Sequence, residues 1–168
     1  MTVNNHYEIS PTTLAILPAY HITYQSRIYD LKGEIYCEKP PIKLIEKACL
    51  EGGSSFDGRK KALQYKKSFY QCPPIPINPL EDIYAFPTCS PTSHDCIWLF
   101  YEHISGFHSR LDSTVITFYN GQSLEVPVSL AVIRNQMART ESCIVSFSKP
   151  KKRMRMYYET PSLTSKER

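Results

Sequence analysis

Glycine is scarce in this chain, six residues in 168, and tryptophan occurs once. So little glycine excludes collagen-like repeats and glycine-rich disorder, and 42% apolar residues with 12% aromatics fit an ordinary globular protein. No internal repeat is present. The six cysteines form no C-x-x-C pair, and the N-terminus MTVNNHYEIS lacks a basic stretch followed by an apolar one. An intracellular, cytoplasmic protein with reduced thiols is therefore expected. The longest apolar run, IWLFY at 97–101, is far shorter than the roughly 20 residues that span a bilayer. A chain of this length buries roughly 70% of its unfolded surface, enough for one domain to fold without metal or disulfide.

Chemical signatures are equally sparse. GGSSFDGRKK, residues 52–61, has two glycines at P-loop spacing, but Arg59 and Lys60 stand where a P-loop needs Lys and then Ser or Thr for Mg²⁺. The preceding run has helical rather than strand periodicity, which also excludes an NTPase. Cys89, His94 and Cys96 lie close in sequence, with His103 and His108 beyond, in a spacing that matches no common zinc pattern, so no metal or other cofactor is expected. No G-x-S-x-G elbow is present, and nothing marks an enzyme. Trp98, in an apolar strand, reads as core.

What the chain does have is concentrated positive charge. Residues 149–168 carry seven Lys or Arg against Glu159 and Glu167, an excess of five in a net charge of +4, so the first 148 residues sum to about −1. Within that near-neutral body Arg59, Lys60, Lys61, Lys66 and Lys67 form a cluster with no acidic residue between them. Two basic patches on a balanced background suit a polyanion such as nucleic acid. The membrane alternative lacks a basic amphipathic helix with Trp or Phe on its apolar face.

Periodicity predicts strands at Thr12–Leu17, His21–Tyr29 and Glu34–Cys37, with a turn at Lys32-Gly33. Helices are expected at Pro41–Glu51, ending at Gly52, and at Phe56–Lys67. CPPIPINPLED, 72–82, reads as an extended crossing, followed by strands Ile83–Phe86 and Ile97–His103. Thr114–Tyr119 and Gln122–Val128 flank Asn120-Gly121, predicting a hairpin with a type I′ turn. Ser129 can cap a last helix carrying Leu130, Ile133, Met137 and Ile144. The expected fold is α+β: a single domain of antiparallel strands and hairpins with two or three helices over residues 1–148, then a basic, flexible tail over 149–168.

Four ordered segments, GSSFDGRK, PPIPINPLEDIYAFPT, TFYNGQSLEVPVS and NQMART, resemble the ComK family of competence transcription factors, and the likeness runs from about Tyr7 to Tyr157. The resemblance implies an activator of DNA-uptake genes that binds paired A/T-rich boxes through the minor groove as an assembly of dimers. It carries over at Gly53, Ser54, Ser55, Gly58, Arg59 and Lys60, and at Asn135, Gln136, Arg139 and Thr140. Other members of the family continue into a C-terminal extension resembling a handle for the MecA adaptor of the ClpCP protease. This chain ends at KKRMRMYYETPSLTSKER, which leaves that contact open and gives the alternative of a shortened paralogue acting as a sequestering module.

Chemistry and resemblance together define a candidate interface. The glycine loop offers backbone N–H groups with the Ser54 and Ser55 hydroxyls to phosphates. Arg59 is expected to enter a narrow A/T-rich groove, with the Asn135 and Gln136 amides beside it and Arg139 on the same helix. Lys61, Lys66 and Lys67 would neutralise phosphates, as would Lys151, Lys152, Arg153 and Arg155 of the tail, through counterion release.

Overall fold

A computed structural model describes residues 1–148, so the basic tail lies outside the described residues. Ten strands form two sheets. Strands β1 (Thr2–Val3), β2 (Thr13–Pro18), β3 (Ser26–Asp30), β4 (Gly33–Cys37), β5 (Ile75–Asn78), β6 (Ile83–Pro87) and β7 (Trp98–Phe100) form a seven-stranded sheet in the order β1-β4-β3-β2-β7-β6-β5. Every pairing in it is antiparallel except β1 with β4. Strands β8 (Ile104–Arg110), β9 (Ser113–Phe118) and β10 (Ser123–Val126) form a second, antiparallel sheet. Three helices, α1 (Pro41–Glu51), α2 (Phe56–Lys67) and α3 (Leu130–Phe147), complete a single α+β domain.

The layers follow from side-chain alternation. One face of the large sheet, with Ile16, Ile28, Ile35, Ile75, Ile77 and Trp98, is covered by Leu44, Ile45, Ala48 and Cys49 of α1. Those four recur at helical spacing on one side of α1, and full burial of a residue such as Leu44 or Ile45 contributes about 1.5–3 kcal/mol. The opposite face, with Leu14, Ala15, Phe86 and Leu99, packs on Ile116, Phe118 and Val126 of the small sheet and on Ile133 of α3. At the β5 edge, Leu63 of α2 and Cys143 of α3 meet over Tyr84.

Both short helices occupy the predicted spans. Four other segments differ; the strand expected over Ile97–His103 stops at Phe100, and Tyr101–His103 forms a 3₁₀ turn. His21–Gln25 is a loop because the His21 Nδ1 accepts the N–H groups of Thr23 and Tyr24, diverting them from a ladder. The proline-rich crossing contains a strand, β5, since at a sheet edge Pro76 need not donate. The Asn120-Gly121 hairpin does not form a type I′ turn, for Gly121 has φ +87° while Asn120 is not left-handed. The Gly121 N–H reaches the Phe118 carbonyl and the Phe118 N–H reaches that of Gln122, a three-residue loop closed by a glycine bulge. Ser129 caps α3 as expected, its Oγ accepting the Val132 N–H at 3.3 Å.

Candidate nucleic-acid interface

The corner between α1 and α2 carries the first basic cluster. Helix α1 ends with the Gly52 N–H on the Ala48 carbonyl, and the Ser54 N–H then reaches back to the Cys49 carbonyl. A side chain on Gly52 would overlap the Ile77 carbonyl, so glycine here lets the corner lie directly on β5. Gly53 turns the chain at φ +95°. Ser55 then caps α2, its Oγ accepting the Gly58 N–H at 2.9 Å. Gly58 keeps clear the space into which a Cβ would bring contacts of 2.8 Å and 3.0 Å with the Ser54 and Ser55 hydroxyls.

This geometry changes what the loop can offer. The Ser55 lone pair is used inside the cap, although its hydroxyl hydrogen is still free to donate outward. The Phe56 and Asp57 N–H groups open the helix and have no intrahelical acceptor. Asp57 stands among them and pairs with Lys61 at 3.0 Å, which lowers the attraction of this end for a phosphate.

Arg59 is half-buried. Its Nη2 donates to the Gly52 carbonyl at 2.8 Å, and its Nε is buried without a partner. The expected groove-entering guanidinium is instead a brace across the corner. The lysines around it do face outward. Lys60 Nζ sits 5.6 Å from the Phe56 ring, Lys61 and Lys66 are exposed, and Lys67 is half-buried near the Cys143 thiol. Lys66 and Lys67 occupy the last turn of α2, where the helix dipole favours cations.

The α3 residues divide in the same way. Asn135 is exposed, but Gln136 is only 3% exposed. Its Nε2 donates to the Cys72 and Pro87 carbonyls at 2.8 Å each, which leaves no amide for a groove. Arg139 donates to the Gln136 Oε1 at 3.0 Å and to the Gln71 carbonyl at 2.9 Å, and lies 4.6 Å over the Phe69 ring. Desolvation lowers its pKa from the ordinary arginine value. Buried Thr140 donates to the Gln136 carbonyl at 2.7 Å. Gln136 and Arg139 therefore clamp the segment between α2 and β5 onto α3. Gln136 and Arg139, expected at DNA, are engaged in these internal contacts.

Two outward residues escaped the sequence reading. Tyr65 is 91% exposed on α2 between Lys61 and Lys66, and Arg134 is exposed on α3 beside Asn135. An aromatic residue interleaved with lysines was a legible signal for nucleic-acid contact. Arg134 stands alone in sequence and offered none. Helices α2 and α3 converge at their C-terminal ends, where Lys66 Nζ lies 5.2 Å from the Phe147 ring. The second basic cluster begins in the sequence two residues after Phe147.

A model of the ComK protein family matches residues 4–152. The chain belongs to the ComK family. It is 32% identical over 136 residues to the competence transcription factor of Bacillus subtilis (strain 168), a match covering 80% of this chain and 71% of that protein. No solved structure matches. In this ComK-family chain GSSFDGRK forms the corner between α1 and α2, and NQMART lies within α3, where Gln136 and Arg139 hold the segment after α2. Among the described residues no helix is long and apolar enough to cross a membrane, and no group of three or more His, Cys, Asp or Glu is placed to hold a metal ion.

Proposed function

We propose that this chain is a cytoplasmic, DNA-binding activator of competence-gene transcription that occupies paired A/T-rich boxes through the minor groove as dimers. The observation that carries the reading is the meeting of α2 and α3 at Lys66 and Phe147, which puts the α2 lysines beside the end of the helix that leads into the second basic cluster. Lysines grouped along α2 suit the phosphate backbone of a duplex. Lys60, Lys61, Lys66 and Lys67, with Lys151, Lys152, Arg153 and Arg155, neutralise phosphates. The Gly53 corner and the Ser54 and Ser55 hydroxyls add neutral donors. These contacts fix position and carry no sequence information. Preference for A/T-rich boxes then rests on groove width and deformability, with exposed Asn135 and Arg134 available to a narrow groove.

The test is an electrophoretic shift on an A/T-box duplex with a G/C-rich competitor. The unsubstituted chain is expected to shift the A/T duplex preferentially. Replacing Lys60, Lys61, Lys66 and Lys67 together by Ala is expected to weaken both duplexes. It should also flatten the salt dependence by roughly 0.9 in log–log slope for each phosphate that is no longer neutralised. A folded, unsubstituted chain that shifts neither duplex would overturn the proposal and favour the sequestering alternative, in which the same surface meets a protein.

A further inference from the structure

Strands β6 and β7 pair up to Pro87 and Trp98 and then continue into a loop. Thr88 closes its base: its N–H donates to the Ile97 carbonyl at 2.9 Å, and its Oγ1 accepts the Ile97 N–H at 3.1 Å. The same register carried one step further sets Cys89 opposite Cys96. Pro87 has no N–H, so Pro87 and Trp98 are a non-hydrogen-bonded pair. The Thr88 N–H to the Ile97 carbonyl keeps one backbone bond of the next pair, the Ile97 N–H going to the Thr88 hydroxyl, and extending the alternation by one more step makes Cys89 and Cys96 a non-bonded pair. Cα atoms in such a pair are about 4.5 Å apart, inside the range of about 4.4–6.8 Å that a disulfide spans.

The side chains agree with the register. Both cysteines pack in the cluster around Trp98. The Cys96 Sγ lies 3.6 Å from the Cys89 carbonyl. Cys96 is 3% exposed, whereas Cys89 is half-buried and reachable. Burial pushes the Cys96 thiol up to about 12, and a reagent from solution meets the more exposed Cys89 first. Cys37, Cys49 and Cys143 are fully buried, and Cys72 belongs to the segment clamped by Gln136.

We propose that Cys89 and Cys96 form a redox modification site that a low-molecular-weight disulfide converts to an intramolecular disulfide. The Cys89 thiolate attacks one sulfur of R–S–S–R, forming a mixed disulfide and expelling RS⁻, which takes up the Cys89 proton. Cys96 then attacks the Cys89 sulfur, expels the second RS⁻ and passes its proton to it. One external disulfide is reduced to two thiols, and two cysteines are oxidised to one disulfide. The staple fixes the turn whose Asp95 accepts a hydrogen bond from the Tyr20 hydroxyl, on the loop between β2 and β3.

Glutathione disulfide is a suitable probe, with free thiols alkylated before intact-mass measurement. The Cys72→Ser protein is expected to lose two hydrogens and to hold no adduct. The Cys72→Ser/Cys96→Ser protein should keep one glutathione, on Cys89, because nothing resolves it. The unsubstituted chain provides a check that needs no variant: cleavage before Asp82, Asp95 and Asp112 separates Cys89 in 82–94 from Cys96 in 95–111. Those two peptides should then co-elute until reduced. A lasting glutathione on Cys89 with Cys96 intact, or unlinked peptides after treatment, would overturn the assignment.

Discussion

Replacing Arg59 separates a brace from a base-reading residue. Its Nη2 holds the Gly52 carbonyl at 2.8 Å, and a hydrogen bond from a charged donor contributes about 1.5–3 kcal/mol. The aliphatic stem adds packing that Ala would lose. Against this, the buried Nε has no partner, and removing it relieves part of a cost of about 1–3 kcal/mol. The balance gives a loss of about 2 kcal/mol for Arg59→Ala. Arg59→Met, which keeps the stem's volume and drops the unpaired donor, should lose about 1 kcal/mol. With a urea slope of about 2 kcal/mol per molar, the unfolding midpoint falls by about 1 M for Ala and about half that for Met. Both folded variants should keep the ratio of A/T to G/C affinity in a shift assay. An unchanged midpoint combined with a selective loss on the A/T duplex would refute the brace and return Arg59 to the groove.

Gly52→Ala should destabilise the protein by about 1–3 kcal/mol in the same urea assay, because the new methyl meets the Ile77 carbonyl and backbone has to move; wild-type stability would mean that α1 does not rest on β5. Alkaline pH should lower stability as well. The Cys49, Cys96 and Cys143 thiols are raised by burial from 9.0 to about 12, so above about pH 9 the unfolded chain gives up protons that the folded chain keeps. Stability present below pH 9 is then lost towards pH 12, by about 1.4 kcal/mol per pH unit for each thiol, and a flat urea midpoint across that window would contradict the burial of these groups. Deleting residues 149–168 should flatten the salt dependence of DNA binding and weaken A/T and G/C duplexes about equally; an unchanged slope would assign those charges to solubility or to a protein partner.

The parts of the fold legible in the sequence were those set by local chemistry. Pro41 at a first helical turn and the Gly52 stop each act within a few residues, and the bounds of α1 follow from them. What the sequence hid was set by distant partners. Pro76 is compatible with a strand only because β5 has a single neighbour. Strand β8, with the polar sequence ISGFHSR, is held by its ladder to β9 and not by its own propensity. The candidate site divides similarly. The lysines of α2 were legible as charge, while the inward turn of Arg59 and Gln136 depends on carbonyls supplied from elsewhere in the chain, at Gly52, Cys72 and Pro87. A polar side chain next to a basic run reads as surface until an acceptor inside the fold claims it.

The large sheet is two local meanders joined along one seam, where Ala15 and Ile16 of β2 meet Leu99 and Trp98 of β7. Every other antiparallel neighbour in that sheet is adjacent in sequence. During synthesis the N-terminal meander is therefore complete long before its seam partner exists. At about 5–20 residues per second, the ribosome leaves the apolar β2 edge open for about 4–16 seconds between Ile16 and Trp98. That interval, rather than any property of the finished molecule, is when this protein is most exposed to pairing with another nascent copy of itself.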